Sequence, residues 1–334
     1  MRRLRLLVIG GIGAFAAFLV LALAGVFDVA SSSRHWALTG WLFDTAIRQS
    51  VTLRSMAIEV PDLDDQRLVR RAAGHYELVC AACHGSPSRA PGAFVGGLTP
   101  APPPLMEQME HWRPPARIFW TIKHGIKRTA MPAWPSQRRD DEVWAMVAFL
   151  LAMPDLAPEQ YDALAGNTAE SACGRCHGQG GADFGGAIPR LDIQTPEYIA
   201  NALAAFRDGT RASGTMMTAA RGLSDEAIET LAARFGKTMA ISRREEADTS
   251  RGKEIATRGV PERKIPACES CHGATARSEY PRLAGQERNY ILQQLNLFAS
   301  LGAARGGPYA HLMAEAARGL TEVDMEDVAA WYGR

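Results

Sequence analysis

The six cysteines of the chain fall in three copies of one pattern: Cys80-Ala81-Ala82-Cys83-His84, Cys173-Gly174-Arg175-Cys176-His177 and Cys268-Glu269-Ser270-Cys271-His272. Two thiols at this spacing reach the two vinyl groups along one edge of a haem and form thioethers, while the adjacent histidine swings beneath the ring to ligate the iron. A glycine closes each copy, Gly85, Gly178 or Gly273. A zinc site would join two such pairs across roughly 15–20 residues, whereas about ninety residues separate each pair here from the next. A thioredoxin-like pair needs no histidine directly after it and sits in a βαβ context. Three covalently bound haem c groups, attached through Cys80 and Cys83, Cys173 and Cys176, and Cys268 and Cys271, use the whole cysteine supply and leave none for a disulfide.

An iron held by His84, His177 or His272 has a sixth position, and its occupant decides the chemistry. A thioether raises the reduction potential and makes an electron carrier; an open position permits catalysis on small molecules. Met131, Met216 and Met313 lie 48, 40 and 42 residues after Cys83, Cys176 and Cys271, each shortly before an amphipathic stretch. Met216 and Met313 also occupy equivalent places in a duplicated segment: Met216-Met-Thr-Ala-Ala-Arg-Gly-Leu223 and Met313-Ala-Glu-Ala-Ala-Arg-Gly-Leu320 agree at six of eight positions, an internal repeat. That equivalence favours Met216 over Met217. Methionine is often core filler, and His124 and His311 are rival ligands. A proximal histidine also needs an acceptor on its other ring nitrogen. The recurring Pro189-Arg-Leu191 and Pro281-Arg-Leu283, with Pro103-Pro-Leu105 at matching spacing, supply a proline carbonyl in each segment. Arg190 and Arg282 stand where they could neutralise haem propionates.

The elements that position these groups follow from periodicity. Asp64 to Val79 reads as a helix with Leu68, Ala72, Tyr76 and Val79 on one side, leading into the first motif. After each methionine comes a capped, acid-started helix. Ser224 precedes Ile228, Leu231, Ala232 and Phe235; Thr321 precedes Met325, Val328, Ala329 and Tyr332; Asp140 precedes Trp144, Val147, Ala148 and Leu151, with Pro154 as a stop. The second segment has only Pro158 to Thr168 before its motif, too little for a full N-terminal helix, so its crevice borrows a surface from a neighbour.

At 334 residues, 47% hydrophobic and with a net charge of +1, the chain has globular composition and no charge excess that points to nucleic acid. Arg2, Arg3 and Arg5 precede an apolar run from Leu6 to Phe27. This is about 22 residues, enough for a bilayer-spanning helix and longer than the roughly 7–15 of a cleaved signal's apolar region. The arginines orient the N-terminus to the cytoplasm, which puts the haem-bearing part on the far side, in the periplasm. Trp36 and Trp41 follow the span, at the lipid interface or against the first domain. Residues 42–60 lack a clean period and read as part of a stalk.

Taken together, residues 64–334 resemble class I cytochrome c. Residues 160–334 resemble the dihaem cytochrome c4 family through Arg251-Gly-Lys-Glu, Pro266-Ala-Cys-Glu-Ser-Cys-His-Gly273, Tyr280-Pro-Arg-Leu-Ala-Gly-Gln286, Tyr290 to Leu297, and Met313 to Leu320. The first segment, with His124-Gly-Ile-Lys-Arg-Thr-Ala-Met-Pro-Ala-Trp134, resembles single-domain cytochromes associated with membrane oxidoreductases. The resemblance implies iron ligation by the methionine seven residues before the leucine–serine/threonine pair, an offset that Met216 and Met313 match, and close propionate edges in the paired domains.

The expected fold is all-α: a transmembrane anchor at 1–30, a periplasmic stalk at 31–60, and three tandem class I cytochrome c domains at 61–157, 158–243 and 244–334. The expected protein is a single-pass inner-membrane electron carrier with its haem domains in the periplasm. It passes single electrons between a quinol-oxidising complex or dehydrogenase and a terminal oxidase, with His84/Met131, His177/Met216 and His272/Met313 as axial pairs and no catalytic residue. Two other readings stay open: the cytochrome subunit of a periplasmic alcohol or aldehyde dehydrogenase, and a haem enzyme such as a peroxidase.

Overall fold

The structure is a computed structural model and describes residues 1–33, 35–167, 172–182, 186, 188–238 and 249–333, the side chains at 110 and 111 excepted. The expected border at 243/244 lies outside the described residues. Among them the fold is helical, with isolated bridges and no β-strand.

Helix α1 (Arg2–Leu23) is wholly exposed and, with a mean hydropathy of 2.7 over its most apolar window, long and apolar enough to cross a membrane. A signal sequence has the same character. The expected stalk is largely helical: α2 (Ala37–Ser55) buries Val51 and Ser55 and packs on the later helix Pro115–His124, while Trp36, Leu38, Trp41 and Leu42 remain exposed. Its apolar residues do not make one stripe, which is why periodicity did not reveal it.

Helix α3 (Gln66–His75) starts where the Asp65 side chain accepts from the Arg67 N–H, satisfying one of the free donors of a first turn. It buries Val69, Ala72 and Ala73 and is shorter than the expected helix. A wide π-type turn over Tyr76–Cys80 follows and leaves Val79 exposed. This turn runs into α4 (Ala81–His84), which carries the first motif. Next come α5 (Leu105–Trp112), α6 (Pro115–His124) and α7 (Asp140–Ala152). Helix α7 packs on α3, α5 and α6, and for that reason Val143 and the run from Ala145 to Leu150 are buried on every side and not along one stripe. The expected cap is displaced by one residue. Arg139 takes the cap position without a side-chain cap bond, and Asp140 is the first helical residue, paired with Lys123 at 2.5 Å.

Helix α8 (Pro158–Ala165) packs on α3, placing Tyr161 and Ala165 in the same core as Tyr76 and Phe149. The short turn α9 (Gly174–His177) carries the second motif, followed by α10 (Pro196–Arg207), α11 (Gly214–Ala220) and α12 (Asp225–Phe235). Helix α10 packs on α11 and α12 around a small core of Ile199, Ala232 and Phe235. The last stretch holds α13 (Ser250–Arg258), α14 (Glu269–His272) with the third motif, α15 (Arg288–Leu301), α16 (Ala310–Arg318) and α17 (Glu322–Tyr332). Here α13 and α15 pack on α17 over Ile255, Ile291, Met325, Val328 and Tyr332. The expected caps hold in both duplicated segments: Ser224 accepts from the Ala227 N–H and Thr321 from the Asp324 N–H.

Candidate haem sites

Each motif forms a single helical turn, which places residues i and i+3 on one face and the histidine at the turn's end. The His177 N–H donates to the Cys173 carbonyl at 3.0 Å, and the His272 N–H to that of Cys268 at 2.9 Å. Burial pushes the Cys80 thiol up to about 12 and that of Cys268 up to about 11. No disulfide joins any of the six cysteines.

The proline carbonyls stand where expected. The Nδ1 atoms of His84, His177 and His272 lie 2.9, 2.9 and 2.8 Å from the carbonyl oxygens of Pro103, Pro189 and Pro281. A carbonyl only accepts, so each Nδ1 carries the proton and each Nε2 keeps its lone pair for a metal. Burial depresses the pKa of His84 and His272, more than the carbonyl bond raises it, which keeps both imidazoles neutral as iron ligation requires.

At the third motif the lone pair has an obvious partner: His272 Nε2 faces Met313 Sδ at 3.5 Å. Met313 is half-buried where two apolar clusters meet. An imidazole nitrogen and a thioether facing one another in an apolar setting beside Cys268 are the two donor types that a low-spin haem iron takes; at this separation they touch, and they would have to part by roughly 1 Å to admit a metal between them. Met131 is half-buried against the first core, in a loop where its N–H donates to Thr129 Oγ1 and its carbonyl accepts from the Ile126 N–H. Met216 sits in the first turn of α11, half-buried, its N–H donating to Ser213 Oγ. The Met217 methyl group rests instead against the Gly209 turn. The rivals His124 and His311 are both exposed, on helix ends.

Comparison with known proteins agrees. Residues 67–150 match the family model for cytochrome c oxidase, cbb3-type, subunit III. A cytochrome c-552 of Acidithiobacillus ferridurans is 36% identical over 180 residues, 51% of this chain and 76% of that one. A cytochrome c4 of Thiocapsa roseopersicina is 33% identical over 182 residues, covering 52% and 92% of the two chains. The chain belongs to the class I c-type cytochromes and has a cytochrome c4-like segment. A thiosulfate dehydrogenase electron acceptor of Stutzerimonas stutzeri is 32% identical over 198 residues, 56% of this cytochrome and 91% of that protein. Electron transfer through haem c is therefore the chemistry of this cytochrome.

The cytochrome's second and third segments are joined by an exchange that the sequence does not announce. The Gln194 side chain accepts from the Arg282 N–H and donates to the Arg282 carbonyl, at 2.9 Å each. The Gln286 side chain does the same for Arg190, at 2.8 and 3.0 Å. Each glutamine thus holds the residue directly after the proline that fixes the other segment's histidine. Nearby, the guanidinium of Arg211 donates to the hydroxyls of Tyr198 and Tyr290, and that of Arg305 to Gln294. Both arginines are buried, and among the described residues no carboxylate pairs with either. Burial, with the charge of Arg211 adding to it, pushes Arg305 down to about 9. Of the two arginines singled out from sequence, Arg190 is already engaged by Asp192 at 2.5 Å. Arg282 Nε is buried without a hydrogen-bond partner among the described residues. The second segment does borrow from the first: Cys176 Sγ lies so close to Gly74 of α3 that a β-carbon there would be 2.5 Å away.

Proposed function

We propose that this cytochrome is a membrane-anchored periplasmic electron relay of three tandem cytochrome c domains with three covalent haem c groups. Cys80/Cys83, Cys173/Cys176 and Cys268/Cys271 would carry the thioethers, and His84/Met131, His177/Met216 and His272/Met313 would saturate the irons. The observation that carries this reading is the trio of histidines, each with Nδ1 locked on a proline carbonyl and, at His272, with Nε2 facing a methionine sulfur. Bound haem supplies reversible one-electron chemistry, and the protein sets its potential and position. This chain's part is to hold each imidazole by Nδ1 so that Nε2 is left for the metal, present a thioether opposite it, and offer positive charge at the buried Arg211 and Arg305 and the half-buried Arg282 for propionates. Helix α1 would serve as an uncleaved anchor in the inner membrane.

The partner side of the reading is a donor dehydrogenase or quinol-oxidising complex and an acceptor oxidase. The relatives named as thiosulfate dehydrogenase electron acceptors favour a dehydrogenase as donor. That would make the cytochrome the electron-accepting subunit of such an enzyme without altering its haem chemistry. Carbon monoxide separates relay from enzyme: the reduced full-length protein should leave it unbound at all three haems, and rapid binding at one would favour a haem enzyme.

A further inference from the structure

Glu142 belongs to the first turn of α7, in the segment of Cys80 and His84, yet most of its bonds go to the second segment. It is only 7% exposed. Its Oε1 accepts from Ser213 Oγ at 2.5 Å and pairs with Arg139 at 3.0 Å. Its Oε2 accepts from the Gly214 N–H at 2.6 Å, the Thr215 N–H at 3.4 Å and Trp134 Nε1 at 3.2 Å. Gly214 and Thr215 are the first two residues of α11, and Met216 is the third. Trp134, in turn, is three residues beyond Met131, and its indole fills the space where any β-carbon at Gly214 would have to go.

The opening amides of a helix have no intrahelical acceptor, and α11 has only seven residues with which to hold its own position. Its seat is therefore set from outside, by a carboxylate rooted in the longer and fully packed α7. Arg139 completes the hold, donating to the Ala212 carbonyl at 2.9 Å. A buried carboxylate with this many donors cannot be removed without orphaning several of them.

We propose that Glu142 is a positioning residue that aims Met216 at the second iron and, through Trp134, ties that aim to the loop of Met131. The proposal rests on the reading of Met131 and Met216 as axial ligands. A thioether bond to iron tolerates little displacement, because supporting groups fix both its geometry and its potential. The first segment would thereby set the potential of the second haem.

The test uses the full-length holoprotein in detergent, a redox titration resolving each haem, and the weak far-red absorbance that reports iron–methionine bonds. Met216→Ala comes first: it should remove one haem's share of that absorbance and lower one potential, which marks the second haem. If it changes neither, the ligand assignment fails irrespective of Glu142. Glu142→Ala should then lower that same potential and weaken the same share, leaving the haem marked by Met313→Ala unchanged. Glu142→Gln, which keeps one acceptor oxygen, should restore most of the shift. A Glu142→Ala protein that is less stable but keeps all its potentials, or one shifted only at the third haem, overturns the proposal. If that variant does not fold, Glu142→Asp decides: the shorter side chain draws the carboxylate back from the Gly214 and Thr215 N–H groups while leaving the Ser213 cap on Met216 in place, so a smaller fall in the marked potential supports the proposal, and no fall overturns it.

Discussion

His272 Nε2 points at Met313 Sδ across 3.5 Å, while its other ring nitrogen is held at 2.8 Å by the Pro281 carbonyl. The carbonyl decides which nitrogen bears the proton, and so which one is free to bind iron. Substituting the sulfur should therefore affect the iron without disturbing the histidine. Met313→Ala is expected to remove one haem's share of the far-red absorbance, lower one of three potentials and open one site to carbon monoxide. Unchanged spectra would assign the sixth position to another side chain.

Covalent attachment can be counted. Replacing Cys268 and Cys271 together with alanine should leave two haems per chain resistant to acid–acetone extraction, against three in the wild type. Three resistant haems in the double variant would refute the third attachment site.

The crossed glutamines make a stability prediction. Gln286→Ala would leave the buried Arg190 N–H and carbonyl, and the Glu287 N–H, without the partner they have now. Each orphaned group costs about 1–3 kcal/mol, so denaturant unfolding should show a loss of at least about 2 kcal/mol. A loss below about 0.5 kcal/mol, typical of a surface substitution, would mean that the exchange carries no weight.

Acid should weaken the last segment by a defined route. The Arg263 guanidinium, donating to Asp324 at 2.6 Å, and the Thr321 N–H and hydroxyl hold this carboxyl well below its ordinary value of 3.8. The folded form thus releases its proton more readily than the unfolded chain. The stabilisation is fully present above the unfolded value and fades as pH falls below it. Asp324→Asn should cost about 1 kcal/mol or more at neutral pH and flatten the acid limb of helicity measured by circular dichroism. An acid limb as steep as wild type would place the sensitive group elsewhere.

The cysteine motifs and the proline acceptors were legible because each is a local pattern whose chemistry needs fixed spacing. So were the stripes of α12 and α17, amphipathic helices with one wet face. Helix α7 showed its type but not its surroundings, since a helix buried all round has no single stripe. The acidic first turn of α7 read as a helix-start signal, yet Asp141 also accepts from Gln293 of α15 and Glu142 from α11. Nothing local distinguishes an acid that favours its own helix from one that grips another. The glutamine exchange and the bond from Arg211 to Tyr290 were hidden for the same reason, because the partners lie in different segments.

The most direct test of the relay is the far-red iron–methionine absorbance of the oxidised full-length protein, expressed per polypeptide. Three haems' worth is the expected result, one for each of Met131, Met216 and Met313. A signal worth two haems or fewer would contradict a chain in which every iron is closed by a methionine opposite its histidine.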